Sequence, residues 1–172
     1  MTEMVLTGPK QTLFTEQLRA ELDKWIAKYP IGRAQSAVIP CLHILQEANG
    51  GWLSRAIMDA LAEYLSMSNI SVYEVATFYS MFELEPVGKH KISLCTNISC
   101  MLCGSEEILE HLQQRLSIKL GETTEDGLFT LKEVECLGAC VGAPMLLMDK
   151  QYHEYLTKEK IDALIDGVRR SL

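Results

Sequence analysis

Lys91-Ile-Ser-Leu-Cys95-Thr-Asn-Ile-Ser-Cys100-Met-Leu-Cys103-Gly104 and Glu135-Cys136-Leu-Gly-Ala-Cys140-Val-Gly-Ala-Pro144 decide how this chain is read. In the first stretch an alternating strand, Lys91 to Leu94, runs straight into Cys95. A second strand, from about Leu128 to Val134, leads into Cys136. Ligand loops at strand ends, with helices between the strands, predict a small α/β layer. Five of the chain's six cysteines fall in these two groups. The sixth, Cys41, lies in the apolar helical stretch Ile39-Pro40-Cys41-Leu42 and is predicted to be core.

Four thiolates from two loops can hold zinc or an iron–sulfur cluster. Structural zinc favours close pairs, often C-x2-C twice. Here the gaps are four residues (Cys95 to Cys100) and three (Cys136 to Cys140). The wider, unequal spans suit a two-iron rhomb better than one tetrahedral ion. Spacing leaves the ligand set open. Cys95, Cys100, Cys136 and Cys140 form one set, which the close second pair favours. Cys95, Cys100, Cys103 and one later residue also satisfy the plant-type ferredoxin pattern. Outside the chosen set, Cys103 reads as a small residue or thiol beside the site.

Working outward, the composition bounds the rest. The chain has 172 residues, 48% hydrophobic and 23% charged, with a formal net charge of −7. An acidic chain repels phosphate backbones, so nucleic acid is not an expected partner. The longest apolar run, Val141 to Met148, is too short to cross a bilayer, so no membrane insertion is expected. Met1-Thr2-Glu3-Met4-Val5-Leu6 has no basic region and no long apolar core, so it is not read as a secretory signal. A reducing compartment and thiols used for metal or redox chemistry follow. There is no Gly-x-Gly-x-x-Gly turn and no phosphate loop, so no nucleotide-cofactor site is expected in this chain alone.

Residues 1–85 show helical periodicity, and residues 86–172 mix strands and helices. A helix from about Thr12 to Lys28 carries Phe14, Leu18, Leu22, Trp25, Ile26 and Tyr29 on one face. The second runs from about Arg33 to Ala48, with Val38, Leu42, Leu45 and Ala48 as its stripe and Pro40 marking a kink or a later start. A third starts near Ser54, and a fourth near Ser71, with Phe78 and Phe82 expected in the core between helices. Beyond Glu85-Pro86-Val87-Gly88 come a helix from Ser105 to about Leu116, a polar turn over Gly121 to Gly127, a hairpin around Asp149-Lys150 and a helix capped by Thr157. His43, His90, His111 and His153 share no ligand spacing and read as surface or satisfied polar residues. Gly104, Gly138 and Gly142 provide either turn geometry or close backbone approach. Thr96, Asn97 and Ser99 read as loop-solvating residues with the capacity to donate to sulfur. The expected architecture is α+β: an N-terminal helical bundle and a C-terminal α/β domain.

Several blocks carry a family: Ala37-Val38-Ile39-Pro40, Asn49-Gly50-Gly51-Trp52-Leu53-Ser54, Tyr73-Glu-Val-Ala-Thr-Phe-Tyr-Ser-Met-Phe82 and Gly121-Glu-Thr-Thr-Glu-Asp-Gly-Leu-Phe-Thr130. With C-x4-C, thirty-five intervening residues and Glu-Cys-Leu-Gly-Ala-Cys, the chain resembles the 24-kilodalton subunits of respiratory complex I, the E-type subunits of bacterial NADH-quinone oxidoreductases. The same module is similar to subunits of NAD-linked hydrogenases and formate dehydrogenases. The resemblance implies a helical domain that docks a partner, followed by a thioredoxin-like domain with one [2Fe-2S] cluster. It implies Cys95, Cys100, Cys136 and Cys140 as ligands and the cluster as a one-electron carrier. It also implies a partner subunit that binds NADH and FMN, in a complex peripheral to the bacterial inner membrane on its cytoplasmic side. Cys103 departs from the family, which usually has a non-cysteine residue there. A free-standing ferredoxin would not need the helical half, and a zinc-stapled adaptor would be colourless. A disulfide enzyme built on Cys100 and Cys103 would leave the downstream pair without a role.

Overall fold

The computed structural model describes residues 13–171, and the start expected for the first helix at Thr12 lies outside them. The chain divides into two compact units, Met1–Pro86 and Val87–Leu172. Among the described residues no helix is long and apolar enough to cross a membrane.

In the first unit, serine and threonine hydroxyls set the helix starts. Thr15 caps α1 (Glu16–Ile26), accepting from the Leu18 N–H at 3.2 Å. A 3-10 turn over Ala34–Ala37 leads into α2 (Val38–Ala48). Pro40 therefore falls in the first turn of α2, where its missing N–H has no helical partner to lose. It marks a later start and not a kink. Ser54 caps α3 (Arg55–Tyr64) and Ser68 caps α4 (Asn69–Phe78). The fourth helix starts ahead of Ser71 because the Ser71 N–H is already held by the Ser68 hydroxyl at 3.2 Å. Leu22, Cys41, Leu42, Leu45, Leu53, Ile57, Leu61 and Val72 make the core, so Cys41 is buried as expected.

Three expectations about side chains fail here. Phe78 is 80% exposed, whereas Phe82 is buried. The buried residues of α4 are Val72 and Ala76, and Phe78 is two residues further on, about 200° around the helix. Trp25 is partly exposed and lines a groove with Tyr29, Ile39, Pro40, His43, Ile44 and Glu47, with the Lys28 ammonium 3.2 Å from its ring centroid. Ala48 is exposed, while Gln46 and Asn49 are buried. The Gln46 amide holds the segment after α4, donating to Met81 O at 3.1 Å and accepting from the Glu83 N–H at 2.7 Å.

The second unit is a four-stranded sheet in the order β2-β1-β3-β4, with β1 His90–Cys95, β2 Phe129–Val134, β3 Leu146–Met148 and β4 Gln151–His153. β1 runs parallel to β2, with Cys95 opposite Val134, and antiparallel to β3. β3 and β4 form the expected hairpin. A short helix that the sequence reading missed, α5 (Ile98–Leu102), follows β1. Helices α6 (Ser105–Leu116) and α7 (Lys158–Arg170) contribute Ile108, Leu112, Ile161 and Ile165 to a core with Ile92, Leu94, Phe129, Leu131 and Leu146. Strand alternation then sends Ser93 and Cys95 to the opposite face from Ile92 and Leu94.

Candidate metal centre

β1 ends at Cys95, and the parallel β2 ends one residue before Glu135 and Cys136. Parallel pairing of the two strands brings both cysteine stretches to the same end of the sheet. After Cys95 the chain turns into α5, whose cap Asn97 accepts from the Ile98 N–H at 3.0 Å. Asn97 also donates to Glu135 at 2.5 Å, linking the two stretches. Its side chain is therefore taken up by the cap and by Glu135.

Cys95 and Cys100 are both 2% exposed and cluster with Met145. Burial first, then a hydrogen bond with Cys95, pushes the Cys100 thiol up to about 11. The Met145 backbone hydrogen-bonds Cys100 and pulls the other way, while charge on Cys95 and Cys140 raises it further. The Met145 carbonyl accepts from the Cys95 N–H at 3.2 Å, so this one residue touches both cysteines. Met145 follows the cis Ala143-Pro144 bond.

Cys136 and Cys140 are exposed, with their sulfurs 3.5 Å apart. Gly138 has φ +82°, a conformation open to glycine, and its N–H points at the Cys136 sulfur at 3.4 Å. Cys140 opens a 3-10 turn, Cys140–Gly142. A Cβ on Gly142 would lie 2.5 Å from the Glu154 carboxyl carbon, so here the glycine permits close approach. Gly104 and Gly138 have no such neighbour within 4 Å and provide turn geometry.

Cys103 is exposed at the end of α5, with its N–H bonded to the Ser99 and Cys100 carbonyls. Among the described residues, no three His, Cys, Asp or Glu side chains converge as if on a single metal ion. Four thiolates on one tetrahedral zinc would stand about 3.8 Å from one another, given the Zn–S length. Two thiol pairs brought to the same end of the sheet are a donor set that an iron–sulfur cluster could use.

The histidines stand apart from this centre. His90 pairs with Asp149 at 2.8 Å and His111 with Asp162 at 2.9 Å. His43 lies against Phe82, with ring centroids 4.9 Å apart. His153 departs from expectation, because its buried Nε2 has no hydrogen-bond partner.

The pattern that defines thioredoxin-like [2Fe-2S] ferredoxins matches residues 22–169, which takes in all four cysteines. The chain belongs to this family. As a thioredoxin-like [2Fe-2S] ferredoxin it is an iron–sulfur electron-transfer protein. The E-type subunit of the NADH-quinone oxidoreductase of Rickettsia felis is 50% identical over 141 residues, 82% of this chain and 84% of the relative. The mitochondrial NADH dehydrogenase [ubiquinone] flavoprotein 2 of Dictyostelium discoideum is 42% identical over 158 residues, 92% of this chain and 64% of that one. Among solved structures, an NAD+-reducing [NiFe]-hydrogenase in the air-oxidized state superposes with a TM-score of 0.68 over 78% of this chain. At 21% identity, and with 23% of the hydrogenase chain covered, that likeness is one of fold alone.

The sequence reading missed three contributors to the site: α5, the Met145 backbone and the residues of β4 that hold the second cysteine loop. Only the alternation of β4 signals the last of these, since it sends Tyr152 and His153 to opposite faces.

Proposed function

We propose that this chain is the [2Fe-2S] electron-transfer subunit of the NADH-oxidising module of an NADH:quinone oxidoreductase, and that Cys95, Cys100, Cys136 and Cys140 are its four ligands. The observation that carries this reading is the 50% identity with the Rickettsia felis oxidoreductase subunit across 84% of that relative's length. The pairing of Cys95 with Cys100 and of Cys136 with Cys140 supports the ligand set, and these four thiolates would hold the cluster. When bound, such a cluster accepts and returns one electron.

The chain's own groups prepare the site. Cys95 and Cys100 are shielded from water, and the Met145 backbone and the Gly138 N–H face the Cys100 and Cys136 sulfurs. Hydrogen bonds to sulfur favour the charged form and tune an iron–sulfur site. A thiol binds iron as the thiolate, so Cys100 would give up its proton to a bound cluster. The exposed second pair is the side open to a redox partner. That partner is a subunit holding FMN and NADH, with which this chain exchanges single electrons. The helical unit, residues 1–85, is the docking arm, and residues 86–172 hold the cluster. The assembly is peripheral to the inner membrane on its cytoplasmic side.

Iron, sulfide and zinc analysis of anaerobically purified protein, with EPR spectra before and after dithionite, tests the cluster. About two irons and two sulfides per chain, EPR-silent until reduced, is the expected result. One zinc without sulfide, after failed iron reconstitution, would refute it. Co-purification with an FMN-containing subunit tests the partner.

A further inference from the structure

Building on the cluster assignment proposed above, we infer that Tyr152 is a positioning residue that fixes the Cys136–Cys140 loop against the sheet. The two cysteine pairs are held differently. Cys95 and Cys100 sit at the end of β1 and within α5, where backbone hydrogen bonds hold them. Cys136 and Cys140 lie on a connection between β2 and β3 whose only regular element is the 3-10 turn at Cys140. The strand register puts Ser93, Leu147 and Tyr152 in one row across the sheet, on the Cys95 face. From that row the Tyr152 hydroxyl donates to the Leu137 carbonyl at 2.8 Å. Leu137 directly follows Cys136 and precedes Gly138, whose N–H points at the Cys136 sulfur.

The far end of the loop is tied by backbone. The Tyr155 N–H donates to Gly142 O at 2.7 Å and the Leu156 N–H to Pro144 O at 3.0 Å. The Lys160 ammonium in turn donates to Glu154 O at 3.3 Å and Tyr155 O at 2.8 Å, anchoring that segment to α7. The near end, at Leu137, is tied by the Tyr152 side chain. Tyr152 is 54% exposed, so removing its hydroxyl leaves the core untouched.

The test compares iron-reconstituted full-length Tyr152→Phe with Tyr155→Phe, which keeps every backbone tie and changes a ring of similar exposure (56%). Iron release to a ferrous chelator, the EPR g values, the midpoint potential and amide exchange at Gly138 are measured. For Tyr152→Phe the expected result is a normal iron and sulfide content with about fivefold faster iron release and Gly138 exchange. That factor corresponds to the loss of one hydrogen bond of about 1 kcal/mol. The midpoint potential moves upward as water reaches the loosened loop, because reduction adds negative charge that water stabilises. Tyr155→Phe matches wild type. Wild-type iron release and Gly138 exchange in Tyr152→Phe, or the same changes in both variants, would overturn the inference while leaving the cluster assignment intact. Wild-type protein that takes up no iron and sulfide would overturn the assignment and the inference together.

Discussion

Replacing Gly142 by Ala tests how closely the second cysteine loop is fitted to the segment that follows β4. The added Cβ would stand 2.5 Å from both Cδ and Oε1 of Glu154 and 2.6 Å from its Cβ. Carbon atoms in contact prefer about 3.5–4.0 Å, so each approach is short by about 1 Å. The Glu154 carboxyl is exposed and can swing away. Its Cβ cannot, because the backbone on both sides is tied: Tyr155 N–H to Gly142 O at 2.7 Å, and Lys160 to Glu154 O at 3.3 Å. The turn and the segment after β4 must therefore separate. Overpacking of this kind costs about 1–3 kcal/mol. Read through amide exchange, that is a loss of protection at the Tyr155 N–H of about 5- to 150-fold. Two second-site changes divide the effect. Glu154→Ala removes the carboxyl clashes and leaves the Cβ clash, so it restores protection in part. Glu154→Gly removes all three and restores it further, less about 0.5–1 kcal/mol for the added backbone freedom. Wild-type protection in Gly142→Ala would refute the reasoning, and so would equal rescue by Ala and Gly at position 154.

Serine at Cys95, Cys100, Cys136 or Cys140 is expected to remove or alter the reduced EPR signal, and serine at Cys103 to leave it unchanged; loss in the Cys103 variant would reject the ligand set. Cys41 gives a pH dependence specific to the helical unit. Burial first, then the charge of Asp23, raises its thiol from 9.0 to about 11. A thiol whose pKa is higher in the folded state contributes stability that is whole below pH 9 and is lost as pH rises through 11. Two units correspond to at most about 2.7 kcal/mol. Urea unfolding followed by Trp25 and Trp52 fluorescence should weaken more steeply between pH 8 and 10.5 in wild type than in Cys41→Ala, and parallel pH curves would reject the assignment. Gly88→Ala is expected to destabilise the second unit by about 1–3 kcal/mol. Its Cβ would meet Phe129 C at 2.9 Å and Leu128 C and O at 3.0 Å, and backbone has no rotamer with which to yield. Unchanged amide protection in β2 would refute this.

What the sequence disclosed is what local periodicity and capping determine. Ser54 and Thr157 announce their helices because a hydroxyl at that position satisfies a free N–H whatever else surrounds it. Val, Ile and Leu alternation locates β1 and β2, and the turn at Gly121–Gly127 follows from its composition. The buried Thr124 hydroxyl in that turn accepts from the Phe129 N–H at 3.0 Å, so the turn is more than solvated surface. What stayed hidden depends on long-range partners. Phe78 and Phe82 look alike in sequence, yet Phe82 is buried with the His43 ring against it, whereas Phe78 stays exposed although it meets the Tyr79 ring edge-on. Gln46 looks like a solvent-facing residue until Met81 and Glu83 come to it across 35 and 37 positions. The four cysteines are legible as a group because they lie in two short segments. Their division into a buried and an exposed pair is not, since β1 and α5 create the first environment and the β4 segment the second.

That division follows from chain economy at the sheet end. A strand that ends in a ligand can shield it only if the chain turns back at once. After Cys95 it does, through the Asn97 cap and one short helix, and Cys100 is buried with it. After Cys136 the chain has eight residues before Met145 and must cross back to β3 on the far side of β1. It spends them on a glycine with positive φ, a 3-10 turn and a proline, none of which forms a ladder. Within itself the loop has the Gly142 N–H to Ala139 O and Ala143 N–H to Cys140 O bonds of its turn, and its ends are tied from outside, by Tyr152 at one end and by Tyr155 and Leu156 at the other. A loop held at both ends by neighbours keeps two exposed thiols 3.5 Å apart without burying them. An electron carrier needs this combination, because geometry must persist through a change of charge while one side stays open to a partner.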